Sequence, residues 1–377
     1  MTMKASAAPK RSGITPGQLW SAVIILAIYV GVFVAEQCIP PTSMLFTVLK
    51  KGATYALVAV SMNLLNGFTG LFSLGQAGFM LIGAYTYAVM TIPVAQRAAV
   101  YQYYDGGAIQ FALPVIPAII LAGLVAAVFA LLIGLPVLRL KSDYLAIATL
   151  GFAEIMRSIF QWDKLGVITN GSNMLRLFPT FNDFNIKNAD GQVVVYLSTL
   201  IPFLIAGACI AAILLLINST DGRAFIAIRD DEVAAEAMGI NLAHHKQAAF
   251  CISSFFAGVG GAMLAMYMNS VQAKSFTSAM TYEILLIVVI GGIGSVTGSC
   301  ISSFLFVACS EWWLRFLDQK QVIGGWQVPL LRNGFRLVVF SIIIMVVVLF
   351  FRKGIMGDRE LWDLFDKKKP KQEGAKR

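Results

Sequence analysis

Charged side chains gather in one loop, Asp221–Lys246, which lies between two apolar runs of membrane length. Charged residues make up only 13% of the chain, so this concentration distinguishes the loop from its surroundings. Within it, Asp230–Met238 predicts a short helix with Asp230 as N-cap, an alanine-rich middle and Gly239 at the left-handed position after the last turn. The helix is too polar to enter lipid and too short to form a domain. It could be a solvated connector, or a lever that docks on a cytoplasmic partner protein.

The sequence lacks the motifs of an enzyme active site, a metal centre or a nucleotide site. It contains no GxxxxGKS/T, HExxH or GxSxG pattern, and its glycine-rich GGIGSVTGS stretch has no phosphate-binding lysine. The five cysteines show no CxxC spacing, and the adjacent His244 and His245 cannot present both rings on one helix face. We therefore predict a non-enzymatic chain with no catalytic residue, no metal and no cofactor. If ATP drives this protein, a separate subunit must hydrolyse it.

Composition excludes a pair of soluble domains for these 377 residues, because 58% hydrophobic residues are typical of a polytopic membrane protein. The net charge is +9, but the basic residues crowd near the two ends, in Lys4–Arg11 and Lys367–Arg377. This distribution predicts contact with anionic lipid headgroups and argues against nucleic-acid binding.

The apolar runs predict an all-α fold, a transmembrane helix bundle of about ten spans in which some helices are broken by glycine. The candidate spans are Leu19–Ile39, Met44–Leu65, Gln76–Ile92, Pro114–Leu135, Tyr144–Gln161, Val193–Ile217, Gln247–Met268, Tyr282–Ile293, Val296–Leu314 and Arg332–Phe351. As one straight helix, Tyr282–Leu314 would be ~50 Å long, against a hydrocarbon core of ~30 Å. We therefore predict a break at its glycine-rich middle, Gly292–Ser295, and two crossings.

The distribution of basic residues predicts that both termini and the Asp221–Lys246 loop are cytoplasmic. Segments assigned to the inside carry 17 Lys and Arg, whereas outer segments of similar total length carry 7. The inner segments are 1–18, 136–143, 218–246 and 352–377, and the outer ones are 91–113, 162–192, 270–280 and 315–331. Lys50 and Lys51 fall near the outer end of the second span, where they could snorkel to the outer headgroups.

Two glycine-broken apolar segments, Asn63–Phe79 and Ile290–Ser303, lie roughly half a chain apart and form a weak internal repeat. In transporters, paired breaks of this kind line the translocation path, because the freed backbone groups need protein or water around them. The alternative is close helix packing, since glycine lets two backbones approach. The residues that we assign to the path are Asn66, Gly67, Gly70, Gly75, Gln76, Gly291, Gly292 and Gly294.

Ionisable residues are scarce within the spans. Glu154 and Arg157 lie three residues apart on one helix face, where they could neutralise each other, and Glu283 lies near an outer end. The spans hold no chain of carboxylates such as a proton-coupled carrier uses, which argues against a secondary carrier.

The longest outer loop, Trp162–Gln192, places the polar stretch Thr169–Asn173 before several aromatic residues. Such a loop could be an interfacial amphipathic segment. It could equally be a docking surface for an external protein.

Four motifs carry a family resemblance: NLLNGFTGLFSLGQAGFMLIGAYTYA at Asn63–Ala88, LRLKSDYLAIATLGFAEIMRSIF at Leu138–Phe160, DGRAFIAIRDDEVAAEAMGIN at Asp221–Asn241, and the IVVIGGIGSVTGS stretch. Together they resemble the permeases of ATP-binding-cassette (ABC) importers for branched-chain amino acids, in particular the M-type subunit of the Liv system. The resemblance covers roughly Leu45–Gly357.

This resemblance implies a heteromer in a bacterial inner membrane, made of two homologous permeases, two cytoplasmic ATPases and an extracytoplasmic solute-binding protein. It implies a cytoplasmic tail at 1–18, a permease domain at 19–357 with a coupling loop at 218–246, and a basic cytoplasmic tail at 358–377. It assigns ATPase coupling to Arg229, Asp230, Asp231, Glu232, Ala235, Glu236 and Gly239. It assigns docking of the binding protein to Thr169, Asn170, Gly171, Ser172 and Asn173, where Asn170 stands in place of a usual glycine.

The leading hypothesis is thus a permease subunit that translocates branched-chain amino acids delivered by an external binding protein. One alternative is the related importer of urea or short-chain amides. The other is a stand-alone secondary carrier or channel.

Overall fold

The computed structural model describes residues 16–41, 43–104, 106–140, 142–188, 192–318, 354–357 and 360, with isolated positions between 322 and 349. Helices dominate this part of the chain, which confirms the predicted all-α class. The helices are α1 (Pro16–Cys38), α2 (Met44–Asn63), α3 (Gln76–Thr91), α4 (Val94–Val100), α5 (Val115–Val137), α6 (Ser142–Phe160), α7 (Gly166–Thr169), α8 (Leu200–Ile217), α9 (Thr220–Asp230), α10 (Glu232–Ala237), α11 (Leu242–Met268), α12 (Ser278–Gly291) and α13 (Val296–Val307). Two short antiparallel strand pairs lie in loops: β1 (Ile186–Lys187) with β2 (Val193–Val195), and β3 (Val322–Ile323) with β4 (Trp326–Gln327).

The predicted span Val193–Ile217 begins too early. Its helix starts only at Leu200, because Val193–Val195 is extended and pairs with Ile186–Lys187. β-Branched valines favour strands, but the strand and the helix belong to one apolar run, so hydropathy alone does not show the boundary between them.

The predicted span Gln247–Met268 begins too late. Its helix starts at Leu242, after Asn241, whose Oδ1 accepts a hydrogen bond from His244 N at 3.1 Å as an N-cap. Apart from isolated helical positions, the predicted span Arg332–Phe351 lies outside the described residues.

In the described part of the chain, four helical segments are long and apolar enough to cross a bilayer. They are Met44–Phe68, Val115–Val137, Leu200–Ile217 and Leu242–Met268. Two shorter apolar helices are Ala22–Cys38 and Ser278–Gly291. The chain is therefore a multi-pass membrane protein by length and composition, while ten crossings stays a prediction.

Helix α5 shows how the bundle packs. Its alanines at every fourth position, Ala118, Ala122, Ala126 and Ala130, are fully buried, whereas its large residues such as Ile116 and Leu132 are exposed. Lipid is as apolar as leucine, so small residues that allow close backbone approach make the helix contacts. The same holds between α3 and α11, where a Cβ on Gly83 would lie 2.0 Å from Gly258 O.

Both predicted glycine breaks are present. After α2 the chain forms a short π-helix, Leu64–Phe68, and then a stretch without helix or strand before α3 begins at Gln76. Helix α12 ends at Gly291, and α13 begins at Val296, so the predicted break at Gly292–Ser295 is confirmed. These two breaks and the polar loop α9–α10 form the candidate site.

Candidate coupling and translocation site

The polar loop folds as two helices, which corrects the predicted single helix Asp230–Met238. Asp230 ends α9, and the N-cap of α10 is its neighbour Asp231, which is extended at φ −159° and ψ 109°. Asp231 Oδ1 accepts from Val233 N at 2.9 Å and from Ala234 N at 3.0 Å. Asp230 Oδ1 is instead taken by Nε and Nη2 of Arg229, at 3.1 and 2.9 Å. Either carboxylate could cap in isolation, but Asp230 is still helical as the last residue of α9, whereas Asp231 has the extended backbone of an N-cap.

The end of α10 is as predicted. Gly239 has φ +86°, a left-handed conformation that side-chain-bearing residues seldom adopt. Its N–H donates to Glu236 O at 2.9 Å, and Ile240 N donates to Ala235 O at 3.1 Å. Glycine therefore ends the helix with its last carbonyls satisfied.

Two large apolar side chains, one in α10 and one at its C-cap, are exposed in the part of the chain that the structure describes. Val233 is 78% exposed and Met238 84% exposed. Ala235, which we had assigned to a partner contact, is only 4% exposed and packs into its own chain. Glu232, assigned likewise, pairs with Lys246, with Oε2 and Nζ 2.6 Å apart, whereas Glu236 is exposed. The surface open to a partner is thus centred on Val233 and Met238.

Arg229 connects the polar loop to both glycine breaks. Its Nη1 donates to Gly67 O at 3.1 Å, so the last turn of α9 contacts the first break. A Cβ on Gly70 would lie 3.0 Å from Arg229 Cγ, and a Cβ on Gly294 would lie 3.6 Å from Arg229 Nη1. One guanidinium group therefore lies between two segments that are more than 200 positions apart in sequence.

Asn63 joins the two breaks directly. It is fully buried, and its Nδ2 donates to Ser295 O and Ser299 Oγ, both at 2.9 Å. Its Oδ1 accepts from Gly294 N at 2.9 Å. A Cβ on Gly67 would lie 2.7 Å from Gly294 N, so the two breaks pack backbone against backbone. Asn63 is absent from the residues predicted for the path, although an asparagine beside a glycine break in an apolar run is a signal of a specific polar partner.

The remaining residues assigned to the path make packing and hydrogen-bond contacts within the chain. Gln76 Nε2 donates to Ser61 Oγ at 2.7 Å, and Asn66 Oδ1 accepts from Ser73 N at 3.1 Å. The tight neighbours of the other assigned glycines are Thr149 for Gly75, Gly298 for Gly291 and Gly357 for Gly292. Close helix packing, the alternative for these glycines, therefore accounts for the contacts seen, and a path along them stays a prediction.

A short segment from beyond the predicted last span covers the second break. Ile355 N donates to Ile290 O at 2.8 Å, and Met356 N donates to Gly291 O at 3.2 Å. Glu360, in the predicted basic tail, caps α13: its carboxylate accepts from Val296 N at 2.7 Å and from Thr297 N at 3.0 Å. A carboxylate at a helix N-terminus accepts hydrogen bonds from the free N–H groups and interacts favourably with the positive end of the helix dipole. Our prediction gave Glu360 no role.

The turn Thr169–Asn173 is partly buried, so fewer of its residues are open to a partner protein than the sequence predicts. Thr169, Asn170 and Gly171 are buried, and Asn170 Nδ2 donates to Val100 O at 3.1 Å and Met174 O at 3.2 Å. Asn170 has φ +60°, a left-handed conformation that asparagine tolerates better than most other side-chain-bearing residues.

The open part of this turn lies on a cleft. Ser172 is exposed and Asn173 half-buried, and both line an open cleft of about 570 Å³ with Tyr103, Arg176 and Leu177. Next to it, burial raises the pKa of Tyr101 to about 12. The Tyr101 phenol is thus protonated at neutral pH and keeps its hydrogen bond to Ile168 O, at 2.8 Å.

Several charged groups within the predicted spans have a polar partner in the described part of the chain. Arg157 Nη2 lies 2.5 Å from Glu154 Oε2, which confirms the predicted neutral pair. Lys51 Nζ lies 2.5 Å from Glu311 Oε1, so Lys51 forms an ion pair within the chain, while its snorkelling to the headgroups stays a prediction. Lys50 Nζ donates to Ser198 Oγ at 2.7 Å.

The family described as "Branched-chain amino acid transport system / permease component" matches residues 44–350. The chain is 33% identical over 291 residues to "High-affinity branched-chain amino acid transport system permease protein LivM" of Salmonella typhimurium, and equally so to that of Escherichia coli K12. Each alignment covers 72% of this chain but only 64% of the LivM relative. The LivH permease of Escherichia coli K12 is 23% identical over 288 residues, or 72% of this chain and 85% of LivH. No solved structure matches the chain at a significant level.

Proposed function

Because the chain belongs to the family of branched-chain amino acid transport system permease components, we propose that it is the membrane-spanning permease subunit of an ATP-driven importer for branched-chain amino acids. The observation that carries the proposal is the hydrogen bond of Arg229 to Gly67 in the first glycine break, beside Gly294 of the second. It connects a polar loop that presents Val233 and Met238 to the broken helices inside the bundle. A mere connector would need neither the exposed apolar face nor this contact.

Three kinds of partner complete the transporter. Two cytoplasmic ATPases hydrolyse ATP and dock on α10. The second permease subunit is a homologue of this chain. This chain is similar both to a relative named LivM and to a relative named LivH, which supports a pair of related permeases. An extracytoplasmic solute-binding protein docks on the cleft at Ser172 and Asn173 and delivers the amino acid.

We propose that closure of the ATPase pair pushes α10 and that Arg229 transmits the movement to the paired breaks. Since the breaks pack on each other through Gly67, Gly294 and Asn63, they move together. The bundle then alternates between outward-open and inward-open states. Substrate crosses beside the two breaks, where glycine leaves backbone groups near the path.

Co-expression with candidate ATPase and binding-protein subunits tests the function. A tagged chain should retain the ATPases through purification, and leucine-loaded binding protein should raise ATP hydrolysis severalfold in nanodiscs. Stimulation by urea or a short amide in place of leucine would favour the related importer. Leucine uptake by the chain alone, with no ATPase retained, would make it a secondary carrier.

The exposed face of α10 gives a first prediction. Met238→Asp should reduce ATPase binding by tenfold or more, because a central apolar anchor at an interface contributes roughly 2 kcal/mol or more, which is about 30-fold in affinity. Ala243→Asp is the matched control, since Ala243 is exposed in the same loop but lies in the first turn of α11. Co-purification measures the effect. Equal retention of the ATPases by both variants would place the docking surface elsewhere.

The proposed orientation, in which both termini are cytoplasmic and the cleft at Ser172 is outside, gives a second prediction. In a cysteine-depleted chain, Ser172→Cys should react with a membrane-impermeant maleimide added outside intact cells, and Ala243→Cys should not. Loaded binding protein should slow labelling at Ser172→Cys, because the cleft is its proposed docking surface. Reaction of Ala243→Cys from outside would invert the proposed topology.

A further inference from the structure

A cavity of about 160 Å³ lies where the outer ends of α2 and α11 meet the outer loop. Its lining includes Phe46 and Lys50 from α2, Tyr267 and Asn269 from the end of α11, and Phe181 and Asn182 from the loop. An apolar cavity of about 150 Å³ holds a benzene-sized molecule, so this cavity has room for a small solute. The coupling and docking surfaces proposed above do not include it.

One wall of the cavity carries a positive charge. Lys50 is half-buried, and its ammonium has three donors, one of which goes to Ser198 Oγ at 2.7 Å. Ser198 Oγ donates in turn to Glu36 Oε1 at 2.9 Å, and that oxygen also accepts from Thr199 N at 2.6 Å. Among the described residues, Lys50 thus has no direct carboxylate contact, and Glu36 serves the start of α8.

The C-terminal end of a helix also lines the cavity. Helix α11 ends at Met268, and Asn269 N donates to Ala265 O at 3.0 Å. The carbonyls that follow Ala265 lack a partner within the helix and carry the negative end of its dipole. Met266 and Tyr267, two of these residues, line the cavity.

We propose that this cavity binds the main chain of a zwitterionic α-amino acid, with the Lys50 ammonium on its carboxylate and the last carbonyls of α11 on its ammonium. The inference rests on the proposed function and adds to it a substrate site on the permease itself. Phe46 and Phe181 lie beside the site, where an apolar side chain would be placed. Urea and simple amides carry neither charge, so the site excludes them.

Protection of a cysteine at the cavity tests the inference. Asn182→Cys, in a cysteine-depleted complete transporter in phosphatidylcholine–phosphatidylglycerol nanodiscs, is labelled with a membrane-impermeant maleimide. Leucine at about ten times its dissociation constant should slow labelling by roughly tenfold, because only the unoccupied fraction of the sites reacts. Leucinamide, which lacks the carboxylate, and 4-methylpentanoate, which lacks the ammonium, should not slow it.

Charge variants assign the effect to Lys50. Lys50→Gln should abolish protection by leucine, whereas Lys50→Arg should keep most of it and shows that the site still folds. Lys187→Gln removes the same charge from an exposed position of the outer loop and should leave protection intact. Protection that survives in Lys50→Gln, or that leucine never gives, overturns the inference.

Two further measurements distinguish a substrate site from a lipid-headgroup site, and failure of this inference from failure of the proposed function. Phosphatidylethanolamine offers a similar pair of charges, so labelling that slows with its content and ignores leucine would make the cavity a headgroup site and overturn the inference. Leucine-stimulated ATP hydrolysis is measured on the same complex with binding protein. Stimulation without protection rejects the substrate site and leaves the proposed function standing, whereas stimulation by urea alone rejects the proposed function.

Discussion

Replacing Arg229 with glutamine is expected to reduce leucine uptake by tenfold or more while the ATPases stay bound. Arg229 Nη1 donates to Gly67 O at 3.1 Å and lies beside Gly294, so the guanidinium joins the loop to the first break where the second packs on it. A hydrogen bond from a charged group contributes about 1.5–3 kcal/mol, and a loss of that size in the coupled state is ~10- to 100-fold in rate. Glutamine is shorter and uncharged. The docking face at Met238 lies elsewhere on the loop and is unchanged.

The measurement is ATP hydrolysis and uptake by the same reconstituted complex. Arg229→Gln should retain basal ATP hydrolysis but lose its stimulation by loaded binding protein, because the ATPases are no longer coupled to the glycine breaks in the membrane. Arg223→Gln is the matched control, since Arg223 is an exposed arginine on the same helix, α9. Arg229→Lys keeps the charge and should recover part of the stimulation. Normal stimulation in Arg229→Gln would show that the force passes through another contact.

Local sequence features predicted the elements of the site well. The break at Gly292–Ser295 follows from a glycine-rich middle in a run too long for one straight helix, and the end of α10 follows from Gly239. The pair Glu154–Arg157 follows from helical spacing. Each of these depends on residues within a few positions of one another, so no knowledge of the tertiary fold is required.

Contacts between distant segments were not predictable in this way. Asn63 and Asn66 lie three positions apart in one motif, and only the packing of a segment about 230 residues away makes Asn63 the buried one. Likewise, Glu360 lies in a charged tail, and its role as cap of α13 depends on where that tail returns. The burial of Ala235 depends on the side of α10 that meets the bundle. Propensity and spacing carry no information on these choices.

Replacing Asn63 with leucine is expected to give the largest loss of stability among single changes at the breaks. Leucine is similar in size but leaves Gly294 N–H without its acceptor and removes both donors to Ser295 O and Ser299 Oγ. A buried N–H group left unpaired costs about 1–3 kcal/mol, and few alternatives exist because Asn63 is fully buried. The two breaks should therefore separate, lowering the midpoint of thermal unfolding and the uptake together.

Asn66→Leu provides the comparison that makes this prediction sharp. Asn66 is the same residue type one turn away, it is half-buried, and its Nδ2 has no partner among the described residues. Its loss removes only the contact of Oδ1 with Ser73 N. Thermal unfolding of the detergent-purified complex, monitored by size-exclusion chromatography, should therefore show a clearly larger decrease of the unfolding midpoint for Asn63→Leu. Equal shifts, or uptake preserved in Asn63→Leu at equal expression, would mean that the two breaks are held together by glycine packing alone and that the buried amide is dispensable.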